Sequence, residues 1–402
     1  MNGAIGILIV FTVMIILLNT TKQLYFGVIG GIITAVTYFG VPLGEAAVIA
    51  FGSVTGWGTI QMVLILYAIT FLQRMLERGG DIARAQQAMD ALSGNRRINT
   101  CLSPIIIGFL PAAGVVKICG DIVSRSAGDY LDIPEKAFVA SYYRHVSESF
   151  LPTYTSILLA IGLSGVDTSS FVVGMLPLVF VQVMLGYVFY LRKIPKETGT
   201  PPSADKVADL KTAIGGLWPL LIVILMILAF NVPTLIAVGI SITLYMFINK
   251  VPFSSVPGML VSAFEARLIV NMFLIYIFKY IITYTGVITE LPDLFALLPI
   301  PQFLVFMLLF FFGAVVGGSS MIHSIGVPLA FAAIPEGGMP LLVLLTSASY
   351  MAMQVSPTHV CLGIVAEHFG VTLGDLVKKT LPVLVSFLCI SICYYGVLSI
   401  IL

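Results

Sequence analysis

Four short stretches of this chain set hydroxyl, imidazole or charged side chains beside residues that interrupt a helix. Ser147-Glu148-Ser149-Phe150-Leu151-Pro152-Thr153 and Ser356-Pro357-Thr358-His359 each carry a proline inside an otherwise apolar run, which removes a helical hydrogen bond. Leu110-Pro111-Ala112-Ala113-Gly114 and Gly317-Gly318-Ser319-Ser320, the latter followed by His323-Ser324, are small-residue interruptions. Glycine there allows a ligand to approach the backbone closely. Hydroxyls and freed carbonyls offer oxygen ligands, and opened helix N-termini present N–H groups to an anion. A single break of this kind reads better as a structural kink than as a site. Four of them, at matching places in two halves of the chain, argue for a binding site.

Ionisable residues inside apolar spans are costly and are functional by default. Arg144 and Glu148 stand four apart just before the first proline break, so they share a helix face and either neutralise each other or serve a ligand. His145 lies between them, and His359 sits in the matching break. Histidine titrates near neutral pH, so the two could relay protons or be satisfied structural residues. Lys117, just past the first small-residue tip, either reaches the site or snorkels to the surface. Lys279 is expected to pair or pack between helices, and Glu336 to lie at the outer interface. Cys101, Cys119, Cys361, Cys389 and Cys393 lack metal-ligand spacing and read as small packing residues, so no metal site is expected.

The elements that must position these residues are apolar. Of 402 residues 59% are hydrophobic and only 10% charged, against about 25% charged in a soluble domain. Apolar runs near about 20 residues, the length that crosses a bilayer core, recur along the whole chain. The first, Ile5 to Leu18, has no basic residue before it and no small-residue cleavage site, so it reads as a retained span. Laid on itself at an offset of about 210 residues the sequence repeats. Val41-Pro42 meets Val251-Pro252, His145-Val146-Ser147 meets Gln354-Val355-Ser356, and Leu176-Pro177 meets Leu381-Pro382. The predicted units are 1–191 and 213–402, joined by a polar linker over 192–212 that contains Pro201-Pro202-Ser203.

Each unit reads as three spans (about 4–20, 26–46 and 57–76; then 214–230, 233–249 and 266–286), an interrupted small-residue stretch, a broken span and a final span. If the interrupted stretch is a re-entrant hairpin, each unit crosses five times, and the second must run upside down. The basic residues agree. Three of the 20, Lys117, Arg144 and Lys279, fall within spans; the others all fall on one side, which the positive-inside rule makes cytoplasmic. The expected fold is therefore an all-α polytopic membrane protein of two inverted-topology repeats, with broken helices at the midplane. It would lie in the cell (inner) membrane with both termini outside and the linker cytoplasmic.

That order of elements, duplicated and inverted, resembles the ion transporter superfamily of dicarboxylate, citrate and gluconate carriers. Ser356-Pro357-Thr358-His359 and its surroundings look most like the family called domain of unknown function 401. The resemblance covers essentially the whole chain in architecture through short motifs. It implies substrate, and often sodium, bound at the hairpin tips and helix breaks, with one bundle moving as an elevator inside a homodimer. Carried onto this sequence, it points to Ala113, Gly114, Ser147, Ser149, Gly318, Ser319, Ser356 and Thr358; Arg144, His145, Glu148 and His359 join them as charged or titratable neighbours. Such carriers have a Ser-Asn-Thr-like tip, where this chain has Pro111-Ala112-Ala113-Gly114, and that leaves the coupling ion open between Na+ and H+.

Other classes leave weaker traces. Gly162-Leu163-Ser164-Gly165 matches the Gly-x-Ser-Gly pattern of an intramembrane serine protease, but at a helix end. His-Glu-x-x-His and a phosphate-binding Gly-x-x-x-x-Gly-Lys are absent from the sequence, and no nucleic-acid patch is seen. No ring of like charge or carbonyl-filter motif suggests a channel. The expectation is a non-enzymatic secondary transporter of a small solute, an organic anion such as a carboxylate, needing no cofactor beyond a coupling Na+ or H+. The alternative is cation/proton antiport.

Overall fold

The computed structural model describes residues 2–21, 23–81, 84–85, 88, 95–109, 115–196, 205–230, 232–287, 299–357 and 359–401. Among them the secondary structure is helical. The first half holds α1 (Asn2–Thr21), α2 (Leu24–Tyr38), α3 (Leu43–Thr55), α4 (Trp57–Gly79), α5 (Arg96–Ile107), α6 (Val115–Ala127), α7 (Ile133–Val146), α8 (Thr155–Ser164) and α9 (Thr168–Phe189). The second holds α10 (Lys206–Phe230), α11 (Thr234–Ile248), α12 (Val256–Ala263), α13 (Ala266–Tyr284), α14 (Gln302–Gly317), α15 (Ser319–Ala333), α16 (Gly338–Met353), α17 (Val360–Phe369) and α18 (Leu373–Ile401). Each helix has its counterpart nine places later, down to the short 3-10 turns Gly128–Tyr130 and Pro335–Gly337 before α7 and α16. Left-handed backbone recurs in the same way, at Gly40 and Lys250, Gly80 and Gly286, Gly128 and Gly338, Gly165 and Gly370.

Five described helices, α4, α9, α10, α13 and α18, are individually long and apolar enough to cross a bilayer, and α15 and α16 form a pair bent by 103°. The central pair is α7 and α16. Every residue from Ala137 to Val146 and from Pro340 to Ala352 is buried, as befits helices enclosed on all sides. A capping box starts α7: Asp132 accepts from the Glu135 N–H while the Glu135 side chain accepts from the Asp132 N–H, satisfying two end groups that have no helical partner.

The second span of the first half ends earlier than the sequence suggested, whereas its counterpart, expected over 233–249, is the helix Thr234–Ile248. The expected span over 26–46 is two helices, because α2 stops at Tyr38 and the chain turns through Gly40 at φ +66 before Pro42. The Val41 N–H closes the turn on the Val36 carbonyl, and the Val251 N–H does the same on Met246, the bond pattern of a left-handed helix stop. The short helices α3 and α12 follow; both were unanticipated.

The interrupted stretches are helical hairpins. Thr100 on α5 donates to Ser126 on α6 (2.8 Å). Gly326 on α15 lies under the Phe310 ring of α14. The tip at 110–114, including Ala113 and Gly114, lies outside the described residues, as does Thr358.

Packing between the halves is reciprocal. Helix α15 rests on α8 and α6 on α17; α13 rests on α2 and α4 on α11; α18 rests on α7 and α9 on α16. Two counterpart pairs, α9 with α18 and α4 with α13, run antiparallel. Tyr190, at the end of α9, donates to the Lys379 carbonyl near the start of α18 (2.5 Å), while Tyr394, late in α18, donates to Gly174, early in α9 (3.0 Å). Likewise Arg74, late in α4, meets Glu265 at the start of α13 (3.3 Å). At the opposite end Met62 of α4 and Tyr276 of α13 both press on Gly162.

Candidate functional site

The proline in the first break does what its chemistry requires. Helix α7 ends at Val146, a 3-10 turn covers Ser147–Ser149, and the chain runs non-helically to Tyr154 before α8 begins. In the second half α16 ends at Met353 and α17 starts only at Val360. Matching serines pin both breaks: Ser147 Oγ donates to the Ile105 carbonyl of α5 (2.8 Å), and Ser356 Oγ donates to the Val315 carbonyl of α14 (2.6 Å). Each break is thereby fastened to the first helix of its own hairpin. Ser149 Oγ donates to the Val146 carbonyl (2.7 Å) and reaches Gln182 Oε1 (3.3 Å). These three buried serines hold backbone in place.

A cavity of about 360 Å³ lies where the two breaks meet. Arg144, Glu148, Thr153–Ser156, Ser320, His359 and Cys361 line it, with Thr70 and Gln73 of α4 and Glu265 and Leu268 beside α13 closing the far wall. Three helices begin at its edge: α8 with Thr155 and Ser156, α15 with Ser319 and Ser320, and α17 behind His359. None of their first turns is capped by the side chain before it. Uncapped N–H groups and the positive ends of three helices therefore face the same space. Gly318 makes one of these ends possible, since its φ of +83 with ψ 163 belongs to a backbone region essentially reserved for glycine. Gln73 Nε2 and Thr153 Oγ1 are buried at this cavity with no hydrogen-bond partner among the described residues, so a bound ligand or water would satisfy them.

The charged residues meet as their spacing suggested. Arg144 Nη1 stands 3.2 Å from Glu148 Oε2; the arginine side chain is 3% exposed and the glutamate 20%. His145 and His359, from opposite halves, touch through their Nε2 atoms at 2.9 Å. His145 Nδ1 is 2.6 Å from the Ser141 carbonyl, which can only accept, so Nδ1 carries the proton and the Nε2 of the neutral ring offers its lone pair. Glu148 Oε2 stands 3.8 Å from that Nε2.

Behind Glu148 is a void of about 10 Å³ with Ser156, Ser319, His323, Thr346, Ser349, Tyr350 and Gln354 around it, space for about one water. His323 braces this wall: Nδ1 meets the Ser156 carbonyl and Nε2 the Ser349 hydroxyl, both at 2.8 Å. Lys279 Nζ reaches the Leu163 carbonyl (3.3 Å) and lies over the Tyr276 ring, which is the interhelical packing expected of it. Lys117 and Glu336 are exposed. Ser164 caps the end of α8 by donating to the Ile161 carbonyl (3.0 Å) and accepting from the Val166 N–H.

A family model described as a protein of unknown function, DUF401, matches residues 4–398. The chain belongs to the DUF401 family. No curated protein matches it in sequence. Its fold is similar to that of the Alcanivorax borkumensis YdaH transporter, described as having an unusual topology, with TM-score 0.55, 13% identity and 89% of each chain covered. It is also similar to Neisseria gonorrhoeae MtrF, described within a class of antimetabolite efflux pumps, with TM-score 0.56, 12% identity, and 88% of this chain and 83% of that one covered.

Some residues of this DUF401 protein that face the cavity gave little warning. Cys361 adjoins the second break but was read as a small packing residue, and Tyr154, directly after the first break, was not singled out. Glu265, Thr70 and Gln73 arrive from α4 and the start of α13, far away in sequence. A polar residue at the entry to an apolar span, as Glu265 is, was the one available signal.

Proposed function

We propose that this DUF401 protein is a secondary transporter of a small organic anion, a carboxylate, bound in the cavity between the two helix breaks. The observation that carries this reading is the convergence of three uncapped helix N-termini and the buried Arg144 on one polar cavity. Both favour negative charge, and a guanidinium can hold a carboxylate through two parallel hydrogen bonds. The transporters whose fold it shares support the reading.

The units 1–191 and 213–402, with the linker 192–212, are read as inverted copies; the antiparallel counterpart helices support this. The hairpins are then re-entrant from opposite faces, as in carriers built on inverted repeats. An elevator-type motion, a homodimer, and coupling to Na+ or H+ belong to the same proposal. The contact of His145 with His359 beside Glu148 favours a second reading, cation/proton antiport, because it strings titratable groups through the break.

The test begins with purified protein, asking which organic anions raise its melting temperature with and without sodium, since a ligand of the folded state stabilises it. Proteoliposomes loaded with each stabilising anion are then assayed for counterflow. Carboxylate counterflow without an imposed cation gradient is expected. Cation-driven proton movement with no anion counterflow would establish the second reading instead.

A further inference from the structure

We propose that His145, His359 and Cys361 form a binding site for a transition-metal cation of the zinc class, entered from the cavity. Their ligand atoms all lie within 4.8 Å of one another, and they come from both halves of the chain. His359 and Cys361 line the cavity, which gives an ion a route in and leaves one side of the cluster open.

The orientation of His145 is that of a metal ligand. Its Nδ1–H is held by the Ser141 carbonyl at 2.6 Å, directing the Nε2 lone pair at the cluster, and a hydrogen bond of this kind is how ligating imidazoles are usually fixed. The spacing also fits. With Zn–N near 2.05 Å and Zn–S near 2.3 Å, tetrahedral binding places two imidazole nitrogens about 3.3 Å apart and nitrogen and sulfur about 3.6 Å apart. The Nε2 atoms stand at 2.9 Å and have to part by about 0.4 Å, while the widest separation in the cluster, up to 4.8 Å, has to close by about 1 Å. Two imidazoles and a thiolate select zinc-class ions over sodium or magnesium.

On binding, the Cys361 thiol releases its proton to cavity water and ligates as thiolate, while the proton that His359 Nε2 donates to His145 in the empty cluster moves through the same water to His359 Nδ1, freeing the Nε2 lone pair; the ion keeps its oxidation state. A divalent ion and Arg144 then exceed Cys361 and Glu148 by one positive charge. An anion entering from the cavity would meet that charge at the open fourth position. Binding is an equilibrium property of the purified protein and does not rest on the transport reading.

The experiment is titration of chelator-treated, detergent-purified protein with Co2+, read by absorption, then with Zn2+. One Co2+ per chain with thiolate-to-cobalt charge transfer, displaced by Zn2+, is expected. The charge-transfer band should vanish in Cys361→Ser and persist in Cys389→Ser, whose side chain is exposed on α18. His359→Asn should weaken binding by more than the roughly 10–100-fold that loss of an outer partner costs. In the wild-type protein Zn2+ should also slow alkylation of Cys361. That measurement decides the matter even if the variants misfold. No charge-transfer band in the wild type, a band surviving Cys361→Ser in folded protein, or Cys361 alkylation unaffected by Zn2+ would overturn the proposal.

Discussion

Arg144 and Glu148 form a pair whose arginine is enclosed and whose carboxylate faces a cavity. Removing one partner of a buried pair leaves the other charge uncompensated, so Glu148→Gln should cost about 3 kcal/mol. Glu148→Gln should therefore lower the melting temperature clearly. Arg144→Lys keeps the charge and should leave folding close to wild type. It should nevertheless weaken binding of the stabilising anion by about tenfold or more, because an ammonium cannot reproduce a two-point guanidinium grip. The double change Arg144→Met with Glu148→Gln should recover stability but not binding. Unaltered affinity in that variant, measured by thermal shift and counterflow, would remove Arg144 from the site. These two residues were legible because both lie on one stretch of chain. The association of His145 with Cys361 was not: its members are separated by more than half the sequence, and no linear spacing encodes a contact that folding alone creates.

At the scale of elements, the left-handed stops of α2 and α11 make a matched pair with one unmatched residue. Gly40 occupies the first at φ +66, Lys250 the second at φ +48. A side chain in that region costs roughly 1–2 kcal/mol, partly offset by glycine's greater freedom in the unfolded chain. Lys250→Gly should therefore stabilise by about 0.5–1 kcal/mol, and Gly40→Ala should destabilise by a similar amount; thermal unfolding in detergent measures both. The same turn explains why α3 was missed; α12, at Val256–Ala263, fell in the gap between the expected spans 233–249 and 266–286. Leu43–Thr55 is apolar enough to read as a continuation of α2, and only the Gly-Val-Pro sequence marks the break.

A second element, the start of α7, is clamped by charge. Lys379 Nζ bonds Asp132 Oδ2 at 2.7 Å and Glu135 Oε1 at 3.4 Å, and Lys193 Nζ bonds Glu135 at 2.5 Å. Partial burial pushes the Asp132 carboxyl up, but the Lys379 ammonium and the Glu135 N–H outweigh it and hold the group below its ordinary value. A lowered carboxyl contributes stability above its unfolded value, about pH 4, and loses it as pH falls through the folded one. The difference in melting temperature between wild type and Lys379→Met should thus be steady near neutrality and shrink below about pH 4. A gap that widens in acid would refute this account of the clamp.

For the molecule as a whole, the proposed duplication rests in the sequence on helix-stopping pairs such as Val-Pro and on prolines within helices, such as Pro177 and Pro382, that keep their register. Which helices touch was not readable, since apolar surfaces carry no address in sequence. Orientation remains a matter for chemistry at the membrane faces. In a cysteine-free background, single cysteines at Thr168 and Gly338 should react with an impermeant reagent added outside, and one at Ser203 only from the cytoplasm. Reversed labelling at either face would reject the inverted arrangement.

Reciprocal packing also bears on how the protein is made. The first hairpin ends with α6, yet the surface that receives α6 is α17, which begins some 230 residues later. At about 5–20 residues per second, synthesis of the intervening chain takes roughly 10–50 s. Throughout that interval the nascent first half sits in the membrane with a hairpin that has no seat and a broken helix, α8, awaiting α15. Neither half can complete itself, so the ribosome must deliver both before either becomes stable. Halves split within the linker and made from separate messages should each be degraded alone and accumulate only when made together.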